Sequence, residues 1–182
     1  MVSTKEKILK EAGKLFSDFG FSGVSMKSIA KKLNITKAAL YFHFKSKKEI
    51  YLKVLERAHQ GLMVEIEKEI SKAKSFKNLI FRLILSYLKF NLKEKNLIKA
   101  IFFKIPKREK EIHNFVLEKR KKLKEKIKEI LAKKKLLKKS NINFLVTSLL
   151  GIMDKLILEA SFFNKKLNIK KSAFQILKIL KI

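Results

Sequence analysis

Cysteine is absent from the 182 residues, so no disulfide framework and no thiolate metal site is available. Tryptophan is absent as well, proline occurs once, at Pro106, and glycine only five times. With so few breakers the chain has little to interrupt long helices. Acids are scarce: 16 against 45 basic residues, for a net charge of +29. Only four of the bases are arginine, namely Arg57, Arg82, Arg108 and Arg120. A lysine-heavy chain also rich in Ile, Asn and Phe is what an A+T-rich genome produces. The global charge therefore supports solubility and a loose attraction to polyanions, and the position of the charge carries more information than its sum. No long uncharged hydrophobic run is present either. The most apolar stretch, Ile142 to Phe163, is interrupted by Asp154, Lys155 and Glu159, which argues against a membrane span. The alternating Lys and Glu near the N-terminus do not read as a signal core, so the expectation is a cytoplasmic protein with no membrane partner. No Ser-His-Asp set, no metal-spaced His and no paired carboxylates are visible. The sequence predicts no enzyme, no cofactor and no metal.

What is present is helical periodicity from end to end. Ser3 with Glu6 predicts a capped first helix carrying Ile8, Leu9, Ala12, Leu15, Phe16 and Phe19, stopped by Gly20 and Gly23. A short helix over Met26 to Leu33 follows, with Ser25 as N-cap. Asn34 stands at a turn that asks for a left-handed residue, and Thr36 caps a third short helix with Leu40 and Tyr41. Ser46 and Glu49 open a long helix through Ile66. Further helices are predicted from Ser75, over about Lys95 to Ile105 up to Pro106, over about Lys107 to Ala132, over Asn141 to Phe163 and over Ile169 to Leu180. No strand-like alternation or repeat appears. The expected fold is all-α with about nine helices.

Two short helices joined by a tight turn, the second opening on Thr36-Lys37, form a helix-turn-helix pattern over about residues 25–44. Between Val24 and Lys48 stand seven lysines and no acid at all. A carboxylate there would repel phosphate, so its absence is informative even on a lysine-rich background; surface lysines placed by chance are the bland alternative. Helix-dipole and free N–H groups at Thr36 and Lys37 favour phosphate or base acceptors. Tyr41 and His43 carry polar-tipped rings that reach phosphate oxygens, although Tyr41 also suits the edge of a core. Leu40, Phe42 and Phe44 are expected in the core. Lys47, Ser25 and Lys27 complete the backbone grip.

These residues resemble a family. Phe19-Gly20-Phe21, Ser28-Ile29-Ala30, Leu33-Asn34-Ile35-Thr36-Lys37, Leu40-Tyr41-Phe42-His43-Phe44 and Ser46-Lys47-Lys48-Glu49 look like the DNA-binding domain of TetR-type regulators. Asn34 stands where the family's turn usually has Gly, and Ala38 where Gly commonly follows the recognition-helix Lys. The resemblance implies a DNA-binding domain over residues 2–62, contacting double-stranded operator DNA through Ser25, Lys27, Thr36, Lys37, Ala38, Tyr41, His43 and Lys47. It also implies a ligand-binding and dimerisation domain over residues 63–182. There Phe81, Tyr87, Phe90, Phe102, Phe103, His113 and Phe115 are candidates for a pocket that takes a small hydrophobic ligand, or are simply core. On the last two helices Leu145, Leu149, Gly151, Ile152, Leu156, Ala173 and Leu177 are candidates for a homodimer seam. The function implied is a ligand-responsive, homodimeric repressor on an inverted-repeat operator; the alternative is an architectural DNA binder without a ligand. The basic run Lys119 to Lys139 reads as a solvated helix face, with a second polyanion surface as the alternative.

Overall fold

A computed structural model describes residues 3–94, 96–98, 101, 104–133 and 139–181. Among them the regular structure is entirely helical: α1 (Thr4–Phe19), α2 (Met26–Leu33), α3 (Lys37–His43), α4 (Lys47–Ile70), α5 (Phe76–Lys93), α6 (Lys110–Ala132), α7 (Lys139–Phe162) and α8 (Ile169–Ile179). Residues 96–98 and 101 are helical too and fall in the segment expected to form a helix before Pro106.

The caps are set by short polar side chains that satisfy otherwise orphaned backbone donors. Ser3 Oγ accepts from the Glu6 N–H, Ser25 from Ser28, Thr36 Oγ1 from Ala39, Ser75 from Asn78 and Asn168 from Lys171. In α2 the reciprocal bond is present as well, with Ser28 Oγ accepting the Ser25 N–H at 2.9 Å. Asn34 closes α2 at φ 53°, ψ 44°, the left-handed conformation expected of it.

The helices fall into two compact units. The first comprises residues 1–59 and 96–117. Its core takes Ile8, Ala12 and Phe16 from α1, Ile29 and Ala30 from α2, Leu40 from α3 and Ile50, Tyr51, Val54 and Leu55 from α4, with Phe21, Phe44, Leu97 and Ile112. Tyr51 meets Phe16 edge-on with centroids 4.8 Å apart and lies 5.1 Å from Phe21, geometries that aromatic pairs favour. Its hydroxyl is buried with no hydrogen-bond partner among the described residues, and burial pushes its pKa up. An unmade hydrogen bond in a core is destabilising, so Tyr51→Phe should raise the unfolding free energy by about 1 kcal/mol. Urea denaturation checks this; an unchanged or lower midpoint would mean the hydroxyl is satisfied.

The second unit comprises residues 60–95 and 118–182. Here α5 packs against α7 and α8, burying Ile80, Leu83, Ile84 and Leu88 together with Val146, Leu149, Met153, Ala173 and Ile176. By length and composition Asn141–Phe162 could cross a membrane. Its apolar side, Ile142 through Ala160, is buried within the chain, and this accounts for its hydropathy. Across the unit Tyr87 on α5 donates its hydroxyl to Asp154 Oδ1 on α7 at 2.5 Å, and Arg120 on α6 donates to the Tyr87 oxygen at 2.8 Å. Arg120 also forms an ion pair with Asp154. Burial raises the Asp154 pKa, while the Arg120 charge and the Tyr87 hydroxyl pull the other way.

Candidate nucleic-acid interface

In a seven-residue helix only one narrow face can reach the core, and in α3 that face is Leu40, continued past the helix end by Phe44. Successive residues turn by about 100°, so Lys37, Ala38, Ala39, Tyr41 and Phe42 point to solvent. Tyr41 is half exposed, a position that suits both the polar-tip role and the edge of the core. Phe42, expected in the core, is instead 87% exposed, because Leu40 and Phe44 already fill the inward positions. Its ring meets the half-buried His43 edge-on at 5.3 Å. An aromatic held in water by a short helix is the residue that pattern reading missed. Its signal was available in the two-residue offset of Phe42 from Leu40.

Around this helix Ser25, Lys27, Lys31, Lys32, Thr36 and Lys45 are also exposed. Ser25 and Thr36 use their oxygens as caps; the Ser25 hydroxyl donates to Ser28 Oγ at 3.3 Å, and a hydroxyl at Thr36 is chemically able to donate to an acceptor such as a phosphate oxygen. The remaining two lysines of the motif behave differently. Lys47 turns its ammonium inward, donating to the Phe21 carbonyl at 2.9 Å and lying 4.3 Å from the Phe21 ring centroid. Partial burial lowers its pKa. Lys48 pairs with Glu109 at 3.3 Å and Glu111 at 3.1 Å, and these carboxylates raise its pKa. The acid-free stretch of sequence thus acquires two acids from a segment sixty residues away.

The other candidate groups are less united. Phe102 and Phe103 lie outside the described residues. His113 and Phe115 belong to the first unit, where His113 Nε2 lies 3.2 Å from the Pro106 carbonyl and Phe115 packs on the core. Phe81, Tyr87 and Phe90 belong to the second. Phe81 is engaged with Phe174 at 4.7 Å, Tyr87 is held in the ion-pair network, and Phe90 fills the space beside Gly61. None of them lines the groove formed by Glu67, Ile70, Ser71, Leu79, Lys126, Ile130 and Lys133. The expected seam divides too. Leu145, Leu149, Ala173 and Leu177 are at most 8% exposed inside the single chain, so they are core, because α5 covers that side of α7 and α8. Ile152 and Leu156 are half-buried, and Gly151 is exposed with open space where a Cβ would stand.

A capped helix, a left-handed Asn turn and a second capped helix with an exposed polar and apolar face are the architecture of a helix-turn-helix. Residues 8–54 match the description of bacterial regulatory proteins, tetR family. Over these 47 of its 182 residues the chain is similar to the TetR family. Over 47 residues it is 53% identical to the biofilm operon icaADBC HTH-type negative transcriptional regulator IcaR of Staphylococcus aureus (strain Newman), a match covering 26% of this chain and 25% of IcaR. Over 52 residues it is 46% identical to IcaR of Staphylococcus epidermidis, covering 29% and 28%. The chain thus matches only about a quarter of the length of these curated relatives. Along nearly its whole length it is similar to a transcriptional regulator (TerR/AcrR family) from Aquifex aeolicus VF5: 27% identity, TM-score 0.81, 98% of this chain and 99% of that one. The transcriptional regulator FadR from Bacillus subtilis, solved in complex with stearoyl-CoA, has a similar fold at TM-score 0.82 and 15% identity, over 96% of both chains. These TetR relatives are regulators of transcription and not enzymes.

Proposed function

We propose that this chain is a homodimeric, sequence-specific transcriptional regulator, a repressor of the kind its IcaR relatives are named as. Residues 2–62 would recognise DNA and residues 63–182 would supply dimerisation and ligand response. The observation that carries the reading is the solvent face of α3, where Lys37, Ala38, Ala39, Tyr41 and Phe42 stand clear of the core on a helix seven residues long. A helix of this kind, entering the major groove, places methyl and ring carbons against thymine methyls and Lys37 against guanine acceptors. Ser25, Lys27, Thr36 and His43 would contact the flanking phosphates. Lys47 reaches phosphate in this reading only by leaving the Phe21 carbonyl. A two-fold pair of such helices reads an inverted repeat with half-sites about one helical turn apart, or a multiple of that. In vitro selection from random duplexes is the test, and failure to enrich any inverted repeat would reject it.

For the dimer, the support comes from the residues that the single chain leaves uncovered. Phe144, Phe162, Phe163, Phe174 and Ile179 on and beside α7 and α8 are 46–75% exposed. Gly151 sits in mid-helix, where glycine is unfavourable by about 1 kcal/mol relative to alanine, with nothing near it in its own chain. Close approach of a second copy would give that glycine a reason. Gly151→Arg should therefore leave the isolated subunit folded and convert the protein to monomers with lost operator affinity. Sedimentation of wild type and variant decides; a variant dimer as tight as wild type would place the seam elsewhere.

A further inference from the structure

The second unit contains an open groove of about 430 Å³ where the end of α4, the first turn of α5 and the last turns of α6 come together. Its floor is apolar: Leu79 is buried, and Ile70 and Ile130 are half-buried. Its rim is charged, and the charges are not equivalent. Lys126 is held 2.9 Å from Glu67, which neutralises it and raises its pKa. Ser71 donates its hydroxyl to the Lys68 carbonyl at 2.9 Å. Lys133, at the other side, is exposed and has no ion pair among the described residues. The groove therefore joins a hydrocarbon floor to one uncompensated cation.

We propose that this groove binds a small single-chain anionic amphiphile, its hydrocarbon tail on Ile70, Leu79 and Ile130 and its anionic head on Lys133. The volume falls within the range of about 300–1,000 Å³ typical of small-molecule sites, which are mostly apolar with a few placed polar groups. An open groove buries only part of a ligand, so a neutral hydrocarbon gains little from it. A head group that makes a charge-assisted bond to Lys133 supplies the difference and fixes the direction in which the tail lies. The Glu67 carboxylate guards the opposite rim against a second anion. All these residues lie inside one unit, and nothing here depends on how α3 reads DNA.

The full-length protein, labelled at the isoleucine δ1 methyl groups, can be titrated with decanoate, decanol and acetate below micelle-forming concentrations and without DNA. Decanoate should shift the Ile70 and Ile130 methyl signals saturably, with decanol about tenfold weaker and acetate inert. Lys133→Glu should weaken decanoate about tenfold and leave decanol unchanged. Glu67→Gln, which releases Lys126, should tighten decanoate instead. Equal binding of decanoate and decanol, unchanged affinity in Lys133→Glu, or no saturable shift at either isoleucine would overturn the assignment. None of those results would touch the operator reading, which is tested on DNA alone.

Discussion

Asp154→Ala should lower the unfolding free energy by about 2–3 kcal/mol, one of the largest effects expected from any single polar substitution in this chain. The carboxylate is the acceptor for the Tyr87 hydroxyl and the counter-ion of Arg120, so its loss strands a phenol and a guanidinium together. Removing one partner of a fully buried pair typically costs about 3–5 kcal/mol. Here the side chains keep 36% and 21% of their exposure, so water screens part of the loss and the lower figure applies. For a domain of this size the melting temperature should fall by roughly 4–12 °C. Replacing all three groups with apolar residues of similar volume, Tyr87→Phe, Arg120→Met and Asp154→Leu, should recover most of the stability. Urea denaturation of both variants measures it. A single substitution that costs nothing, or a triple variant as unstable as the single one, would show that the network does not hold α5, α6 and α7 together.

Lys37→Ala should reduce affinity for the selected operator by about 1–3 kcal/mol and abolish preference at one position of each half-site. Arginine paired with guanine is the commonest specific contact in the major groove, and no arginine lies between Val24 and Lys48. The other groups on the open face of α3 are Ala38, Ala39, Tyr41 and Phe42. Methyl and ring carbons suit thymine, so the operator should be rich in A·T pairs, with about one G·C pair per half-site read by Lys37. The Lys37→Ala protein should select the same A·T positions and lose the G. A G·C-rich consensus, or an unchanged G in the variant's selection, would sink the proposal.

Much of the DNA-binding half was legible in the sequence because its determinants are local. A cap needs a hydroxyl at one position and a left-handed turn needs Asn or Gly, so Ser25, Asn34 and Thr36 placed α2 and the start of α3 to the residue. What failed depended on distant partners. Phe42 was assigned inward by its hydrophobicity, whereas the inward face of α3 was already taken by Leu40 and Phe44. The contact of Lys47 with the Phe21 carbonyl was not legible, because nothing near it in sequence reveals that carbonyl. On α7 and α8, Leu149 and Leu177 form an apolar stripe that serves a neighbouring helix or a second subunit equally well, and periodicity does not say which. Only the position of α5 decides that those leucines are interior.

Lys48 carries a consequence for how salt acts on DNA binding. A lysine that neutralises a phosphate contributes to salt dependence because it sets free a cation condensed on the duplex. Lys48 already has its counter-ions within the protein, in Glu109 and Glu111, and Lys47 is occupied by a carbonyl and a ring. Neither is poised to displace an ion from DNA. In the proposed complex the charge that a duplex would meet is that of Lys27, Lys31, Lys32, Lys37 and Lys45, five lysines in place of the seven written in the motif. On the proposed reading, ion release counted per subunit should fall below the number that the sequence spells out.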